Sequence, residues 1–205
     1  MASLRDSELR RPPAGAGVLR ESVTETIRRA MFEELAESGY ARMSMEAVTR
    51  RAGVGKAALY RRWPSKEAMV VELVSAAAAA HIPTTTDSGS LHGDVERFLH
   101  ETLRALRHPL VGRIIPDLLA ESARSASLHD ALHHAVLGPR RAAVATLLDR
   151  ATVRGELPPD IDTGLATDLF GAPLYFRMLA AGGPTDGAYV RRLTHAVVAA
   201  VAASR

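Results

Sequence analysis

The 205-residue chain contains no cysteine and few aromatic residues: one Trp, four Tyr and four Phe. Without cysteine it cannot form disulfides, thiolate zinc sites or a cysteine nucleophile. The longest apolar run, residues 70–80, contains Glu72 and is much shorter than the ~20 residues of a membrane-spanning helix. Period-two patterns rich in β-branched residues are absent, so no sheet is expected. We therefore predict a cytoplasmic globular protein with its own core and no membrane contact.

Motifs that would supply a catalytic or cofactor site are also missing. The sequence has no His-Glu-x-x-His pattern, no phosphate-binding glycine loop and no glycine-flanked serine. We expect no enzyme activity, no catalytic residue and no cofactor. His129 and His133 lie four residues apart, a spacing compatible with metal binding, so a metal sensor or metalloenzyme is a minor alternative. A solvated histidine-rich helix face explains them better, and we predict no metal ligands.

Positive charge is concentrated in one segment. Residues 42–66 hold seven basic residues and a single acid, Glu46, whereas the whole chain has a formal net charge of +3. Clustered Lys and Arg side chains with few nearby carboxylates favour phosphate binding. Charge alone leaves an unliganded basic surface as an open alternative.

Periodicity and turn residues divide this part of the chain into short helices. Apolar residues recur at helical spacing from Val23 to Leu35, and Gly39 ends that helix. Ser44 is a good N-cap for a second helix, and Gly53 forms the next turn. A third helix is predicted from Lys56 to Arg62.

The third predicted helix has two different faces. Leu59 and Trp63 lie four apart and are expected to pack inward. The opposite face carries small and polar side chains that suit DNA contacts: Lys56, Ala57, Tyr60 and Arg61. Alanine lets the backbone approach a base pair, whereas the other three can donate to phosphates or base edges. Which of them contacts a base stays open.

The fourth predicted helix starts at Pro64-Ser65-Lys66-Glu67, with Ser65 as its N-cap. A lysine here opposes the positive end of the helix dipole, so Lys66 fits better if a DNA phosphate binds at this point. Projection of Lys66 into water is the alternative. The residues predicted to bind DNA are Ser44, Lys56, Ala57, Tyr60, Arg61, Arg62 and Lys66.

Three motifs within residues 21–74 follow one another: Ala-Glu-Ser-Gly-Tyr at the end of the first helix, the turn Ala-Gly-Val, and Leu-Tyr-Arg-Arg-Trp-Pro-Ser-Lys-Glu. Together they resemble the DNA-binding domain of the TetR family of bacterial transcriptional regulators. Gly55 stands where the family usually has serine, which weakens the cap of the recognition helix, and Thr49 stands where alanine is usual. Trp63 replaces a more frequent phenylalanine.

The rest of the chain is predicted to be helical. After a linker at 83–89, helices are expected at about 90–107, 110–125, 128–154, 161–181 and 187–203, and prolines 116, 139 and 173 should kink or divide them. Segments 154–160 and 169–177 resemble an actinobacterial-type C-terminal domain that accompanies TetR-like DNA-binding domains.

The predicted fold class is all-α with about nine helices. A three-helix N-terminal bundle with a helix-turn-helix is joined through helix 4 to a larger helical domain for ligand binding and dimerisation. The predicted boundaries are 1–17 for a flexible basic arm, 18–65 for the DNA-binding domain and 66–205 for the C-terminal domain.

The last two predicted helices each carry an apolar side, which suits pairing with a second copy as a four-helix bundle. Packing within one chain is the alternative. The residues predicted at the dimer interface are Leu165, Leu169, Leu174, Val190, Leu193, Val197 and Val201.

A ligand pocket is predicted within the C-terminal domain, where the alanine run 76–80 leaves space beside small neighbours. Its predicted lining residues are Leu103, Leu106, Ile114, Leu118, Leu147, Phe170 and Phe176, with His100, Arg104, Arg113 or Arg177 as polar anchors. Each apolar member could equally belong to the ordinary core.

The family resemblance implies a homodimeric regulator, most simply a repressor that binds a palindromic operator in double-stranded DNA. A small, largely apolar effector would shift helix 4 and release the operator. The protein would then act in the cytoplasm, associated with the nucleoid. An architectural DNA-binding protein without an effector is the alternative.

Overall fold

The structure is a computed structural model that describes residues 15–83 and 86–204, with side chains from residue 23 onward. All regular secondary structure in this part of the chain is helical, as predicted. The helices are α1 Gly15–Arg42, α2 Met45–Ala52, α3 Lys56–Arg62, α4 Lys66–Ala79, α5 Leu91–Leu106, α6 Pro109–Ser122, α7 Ala126–Leu132, α8 Gly138–Val153, α9 Thr163–Tyr175 and α10 Gly187–Ala203.

Two π-helical segments continue these helices. His133–Leu137 joins α7 to α8, and Phe176–Ala180 extends α9, so the described residues form nine continuous helices. Both segments lie close to prolines that were predicted to disturb the helices. Pro139 has no N–H for an α-helical hydrogen bond, and the π segment ends directly before its helix. Pro116 lies inside α6.

The predicted N-terminal arm falls mostly on residues 1–14, which lie outside the described residues. Residues 15–17 differ from that prediction, because they already belong to α1. Two glycines in this turn lower helix propensity by only about 1 kcal/mol each relative to alanine, which the helix that follows them can offset. At its other end α1 is interrupted at Gly39, whose φ of +75° is not helical.

The N-terminal helices share a core with a helix from the second half of the chain. Large side chains such as Met31, Leu59 and Trp63 are buried there, together with Ile114 and Leu118 of α6. Leu118 was predicted to line a ligand pocket and instead completes this core. Core residues and pocket-lining residues both recur at helical spacing, so the sequence could not distinguish one role from the other.

A second core lies among α5, α8, α9 and α10. It also contains Leu103 and Leu147, which were predicted as pocket residues and line neither of the cavities described below. The remaining side of α6 packs here through Val111 and Ile115, which are partly buried against this core. Helix α6 therefore contacts both cores with different sides.

Four residues predicted at a dimer interface also belong to this second core: Leu174, Val190, Val197 and Val201. Their exposed fractions lie between 0 and 2 %, because α9 and α10 turn their apolar sides toward α5. These four side chains therefore pack within the chain, which was the alternative stated for this helix pair. No helix in the described ranges combines the length and apolarity needed to cross a bilayer.

Candidate DNA-binding surface and ligand cavity

The helix-turn-helix is shaped by its caps. Ser44 Oγ accepts a hydrogen bond from the backbone N–H of Ala47 at 3.1 Å and thereby starts α2. Gly53 ends α2 in the left-handed region, with φ of +66°, which a residue without Cβ adopts at low cost. Gly55 then starts α3 without a side-chain cap. Only three residues thus separate the end of α2 from the start of α3, and the two helices pack against each other.

Helix α3 has the two faces predicted from its sequence. Leu59 and Trp63 are buried, with 0 and 1 % of their surfaces exposed. The opposite residues are all exposed, and we call them the recognition face: Lys56, Ala57, Tyr60 and Arg61. Trp63 is fixed by its indole N–H, which donates to Glu72 Oε2 at 2.9 Å. The burial of one side therefore holds the other toward solvent.

Glu46 of α2 lies beside this recognition face. Its Oε1 accepts hydrogen bonds from Lys56 Nζ at 3.2 Å and from the Tyr60 hydroxyl at 3.1 Å. A backbone hydrogen bond at Glu46 lowers the pKa of its carboxyl, and the bonds from Lys56 and Tyr60 lower it further. Local desolvation is the largest cause that raises the pKa of Tyr60, and the hydrogen bond to Glu46 raises it further. Glu46 thus orients two recognition-face side chains while the surface is free of DNA.

Arg62 is exposed but already engaged within the domain. Its guanidinium donates to Thr24 Oγ1 of α1 at 2.7 Å, approaches Glu72 of α4 at 3.4 Å and lies 4.7 Å from the centre of the Trp63 ring. These contacts tie α3 to two neighbouring helices. The structure therefore separates Arg62 from the recognition face with which it was predicted to act.

Lys66 is likewise engaged within the domain. Its ammonium group donates to the carbonyl oxygens of Tyr40 at 2.7 Å and Ala41 at 3.3 Å, and lies 4.4 Å from the centre of the Tyr40 ring. A cation at the start of α4 is thus compensated by carbonyls at the end of α1, rather than requiring a phosphate. In the free protein this lysine joins α4 to α1.

The basic segment contains both paired and unpaired arginines. Arg51 lies within ion-pair distance of Glu33, Glu34 and Glu37 on α1, and the hydrogen bond to Glu37 raises the pKa of its guanidinium. Arg61, in contrast, is exposed and has no ion-pair partner among the described residues. Arg51 therefore holds α2 against α1, whereas Arg61 keeps its charge available.

Arg50 is a candidate DNA contact that the sequence analysis missed. It is exposed, and the described part of the chain gives it no carboxylate partner. Arg50 follows Glu46 by four residues on α2, so the two side chains share a face. Since Glu46 contacts the recognition face, Arg50 lies on the same side of the domain. The spacing from Glu46 was a signal that could have identified it.

A tight contact joins the DNA-binding helices to α6. Asp117 Oδ2 accepts a hydrogen bond from the backbone N–H of Tyr40 at 2.6 Å. At the neighbouring Gly39 a Cβ atom would lie only 2.8 Å from Asp117 Oδ1. Lys66 holds the carbonyl of the same Tyr40, as described above. Side chains from both α4 and α6 therefore bind the backbone of the turn at Gly39–Tyr40.

Two cavities lie between packed helices. The junction cavity, about 240 Å³, is bounded by α1, α4, α5, α6, α8 and α9, and includes Phe32, Ala77, Ala78, Leu106 and Ile114 in its walls. The small alanines of α4 leave the space that the alanine run predicted. The lateral cavity, about 300 Å³, lies between α5, α8 and α9 and includes Phe98 and Phe170. Arg140 and Tyr175 line both cavities and lie where the two approach each other.

Few of the predicted pocket residues lie in these walls. Leu106 and Ile114 line the junction cavity, and Phe170 lines the lateral cavity. Phe176 is 68 % exposed and lies outside both. The predicted anchors His100, Arg104, Arg113 and Arg177 are absent from both linings. Helical spacing could not identify Arg140, because its position depends on how α8 packs against α5.

The histidine pair on α7 and the adjoining π segment does not form a metal site with its neighbours. The rings of His129 and His133 stack with centroids 6.0 Å apart, and Arg141 Nη1 lies 3.3 Å from His133 Nε2. A guanidinium in that position would repel a metal cation. Among the side chains described, those of residues 23–83 and 86–204, no three potential ligands cluster around a common point.

The outer side of α9 and α10 carries exposed apolar groups. Leu165 of α9 is 50 % exposed, and Phe176, at the start of the π-helical segment that extends α9, is 68 % exposed. On α10 the exposed positions include three alanines at helical spacing, Ala196, Ala199 and Ala203. We call these five residues the outer face. Of the residues predicted at the interface, only Leu165 is exposed, while Leu169 and Leu193 are half-buried.

Comparison with protein families gives matches along most of the chain. Residues 27–73 match the family described as "Bacterial regulatory proteins, tetR family", and residues 85–197 match "Tetracyclin repressor-like, C-terminal domain". The first match covers the helix-turn-helix and the start of α4. The second covers α5 to α9 and most of α10.

Individual relatives agree with these matches. The chain is 33 % identical over 170 residues to the DNA-binding transcriptional repressor TetR of Mycobacteroides abscessus, an alignment that spans 82 % of this chain and 87 % of the relative. Among solved structures it is similar to the TetR family transcription regulator SCO0332, with a TM-score of 0.67, 28 % identity and coverage of 88 and 98 % of the two chains. FadR from Bacillus subtilis, solved with stearoyl-CoA, shares the fold at a TM-score of 0.70 and 15 % identity, with coverage of 87 and 97 %.

Proposed function

The chain belongs to the TetR family of bacterial transcriptional regulators, and from this premise we propose that it is a homodimeric repressor that a small molecule releases from a palindromic operator. The observation that carries the DNA-binding part is the recognition face of α3. Its residues are exposed because Leu59 and Trp63 anchor the reverse side of the helix in the N-terminal core. A protein of this kind acts in the cytoplasm, at the nucleoid.

Contact with DNA would engage the groups that are free or weakly held. Arg50 and Arg61 have no carboxylate partner among the described residues and are suited to phosphates or guanine edges. Lys56 and Tyr60 can exchange their bonds to Glu46 for bonds to DNA. Ala57 allows the helix backbone close approach to the groove, and Ser44 fixes the start of α2 near the DNA backbone.

A dimer is supported by the outer face of α9 and α10. A seven-residue recognition helix contacts only a few base pairs, so two copies about one turn of DNA apart are needed for specific binding. Exposed Leu165 and Phe176 flank a surface whose alanines allow close helix packing. Leu169 and Leu193 would lie at the edge of this surface. Leu174, Val190, Val197 and Val201 are buried in the second core and would not contact the partner.

Release by an effector is supported by the position of the junction cavity. Its walls include Val74 of α4 and Ile114 of α6, the two helices whose Lys66 and Asp117 hold the turn at Tyr40. A ligand that moves either helix would therefore displace the DNA-binding helices. FadR of Bacillus subtilis, which shares the fold, was solved in complex with stearoyl-CoA, so a protein with this fold can bind an acyl ligand.

Genome-wide recovery of bound DNA tests the regulator function. We expect a few sites that share a palindrome, with half-sites about one helical turn apart. An architectural protein would instead yield many sites without a common motif and a steep salt dependence. On the recovered operator, Arg61→Ala should weaken binding and reduce the salt slope by about 1. Arg62→Ala is the matched variant, and we expect it to lower the melting temperature while leaving the slope unchanged.

Sedimentation tests the dimer. Ala199→Asp places a charge in the centre of the outer face and should give a folded monomer that no longer binds the operator. Val153→Asp, at the exposed end of α8, is the matched control and should remain dimeric. A dimeric Ala199→Asp protein would place the interface elsewhere.

A further inference from the structure

Arg140 is a charged side chain in a largely apolar environment. It is half-buried near the start of α8 and lines both the junction and the lateral cavity. One of its guanidinium nitrogens donates to the buried Thr102 hydroxyl at 2.8 Å, and its central carbon lies 5.7 Å from the centre of the Phe98 ring. Both neighbours are neutral. No carboxylate within the described ranges lies at ion-pair distance from Arg140.

Two other arginines in the cavity walls are paired with carboxylates. Arg141, the next residue, lies 3.8 Å from Asp168 of α9. Arg28, which lines the same junction cavity, donates to Glu25 at 2.7 Å, and that hydrogen bond raises its affinity for its proton. Even partial burial of a charge carries a desolvation cost, and at Arg140 no counter-ion among the described residues offsets it. Among the cations of these two walls, Arg140 differs in having only uncharged contacts.

We propose that the effector is an organic anion, a carboxylate attached to a compact apolar body, and that its carboxylate binds Arg140. This inference rests on the proposed function, since it assigns the chemical class of the molecule that releases the operator. A guanidinium has five N–H donors in a planar fork that matches a carboxylate, and within the described residues Arg140 donates a single hydrogen bond. A single cation balances a monoanion, whereas a phosphate dianion would need a second one.

The surroundings of Arg140 determine what the rest of the ligand can be. In the junction cavity the walls toward α4 and α6 are aliphatic, with Val74, Ala78, Val111 and Ile115 among them. A volume of about 240 Å³ lies just below the roughly 300–1,000 Å³ of most ligand sites and therefore favours a small molecule. Tyr175 also lines both cavities, and its hydroxyl has no hydrogen-bond partner in the described part of the chain. It can supply a second donor to the carboxylate.

Calorimetric binding to the full-length protein without DNA tests this inference with matched probes. The probes are octanoate against octan-1-ol, and 4-phenylbutanoate against 4-phenylbutan-1-ol, at neutral pH. We expect at least one acid to bind ten-fold or more tightly than its alcohol, which corresponds to the strength of a charge-assisted bond. Equal affinities in both pairs would overturn the inference.

Variants of the protein test whether Arg140 causes the preference for an acid over its alcohol. Arg140→Met keeps the length of the side chain and should abolish the preference for the acid, while the alcohol binds as before. Arg140→Lys should retain part of it. Arg104→Met removes an exposed arginine of α5 outside both cavities and is the matched control. A preference that survives Arg140→Met, or that Arg104→Met also abolishes, would contradict the assignment.

Thermal unfolding of the ligand-free proteins gives a second readout that does not depend on the probes. Because Arg140 is unpaired, Arg140→Met should melt at or above the temperature of the wild type. A fall of more than about 4 °C would show that the guanidinium serves the fold, and would overturn the inference. Operator binding is measured separately. If it is intact while the acids show no preference, only the ligand class is wrong; if it is absent, the proposed function fails.

Discussion

The helix-turn-helix unit has two edges that are held in different ways. Its edge toward α6 is buried: Leu118 is 5 % exposed within the N-terminal core, and Asp117 binds the backbone of Tyr40 at 2.6 Å. Its edge toward DNA consists of exposed side chains, with Lys56 and Tyr60 sharing the carboxylate of Glu46. A packed edge transmits a displacement, because its contacts cannot lengthen without loss. Exposed polar contacts can be exchanged for DNA at small cost.

The largest effect is expected at the buried edge. Leu118→Ala should lower the free energy of unfolding by about 2–5 kcal/mol, since it leaves a cavity between α6 and the N-terminal helices. Leu119→Ala, at the next residue, is the matched control: Leu119 is 58 % exposed, and its truncation should change stability by less than about 0.5 kcal/mol. Urea unfolding measures both. Similar losses would mean that α6 is not part of this core.

An intermediate effect is expected at the turn Gly39–Tyr40, which Asp117 of α6 contacts. Gly39→Ala places a Cβ within 2.8 Å of Asp117 Oδ1, in addition to the strain of a residue with φ of +75°. Gly53→Ala also has a positive φ, but its ψ of 29° lies in the left-handed helical region, whereas the ψ of 162° at Gly39 lies where almost only glycine is found. No atom lies within 4 Å of the new Cβ at Gly53, so its loss should be about 1–2 kcal/mol. Gly39→Ala should therefore be the more destabilising by urea unfolding. Equal losses would contradict an added cost at Gly39 from its ψ angle and from the contact with Asp117.

The smallest effect is expected at the DNA edge. Glu46→Gln removes the charge that competes for Lys56 and repels phosphates, so operator affinity should rise by about ten-fold or less at low salt. Local hydrogen bonds hold the pKa of Glu46 below its ordinary value of 4.5, so the carboxylate is ionised above that pH and the effect of Glu46→Gln should be constant there.

As the pH falls through the lowered pKa of Glu46, its protonation releases Lys56 and Tyr60, and the small stabilisation from these contacts is lost. The advantage of Glu46→Gln over the wild type should disappear in that acidic range. Gel-shift titration of both proteins across pH provides the measurement. A weaker operator complex for Glu46→Gln at neutral pH would instead indicate that Glu46 itself contacts a base.

Local sequence signals predicted the helices well because they depend on neighbouring residues. Ser44 and Ser65 cap the helices that were assigned to them, α3 has the predicted bounds, and Leu59 and Trp63 are buried. The role of the apolar side of α10 could not be predicted in the same way. Val197 and Val201 show that its periodicity is real, but they pack against the chain's own helices. Periodicity identifies an apolar side without identifying its partner.

Charged residues show the same limit more clearly. Seven basic residues in one segment predicted phosphate binding, yet Arg51, Arg62 and Lys66 hold neighbouring helices together. Whether an arginine is paired depends on carboxylates from other helices, such as Glu37 for Arg51. Sequence position alone does not reveal those partners, because long side chains reach several neighbours.

The sequence by itself determined an all-α chain, its helix limits, its helix-turn-helix and its family, since caps, glycine turns and apolar spacing act within a few residues. Tertiary structure decided which charges remain free and where space is left. The bond between Asp117 and Tyr40 joins residues 77 positions apart, and Arg140 lies between two cavities whose walls come from several helices. Such contacts arise only when distant helices pack, which local preferences do not specify.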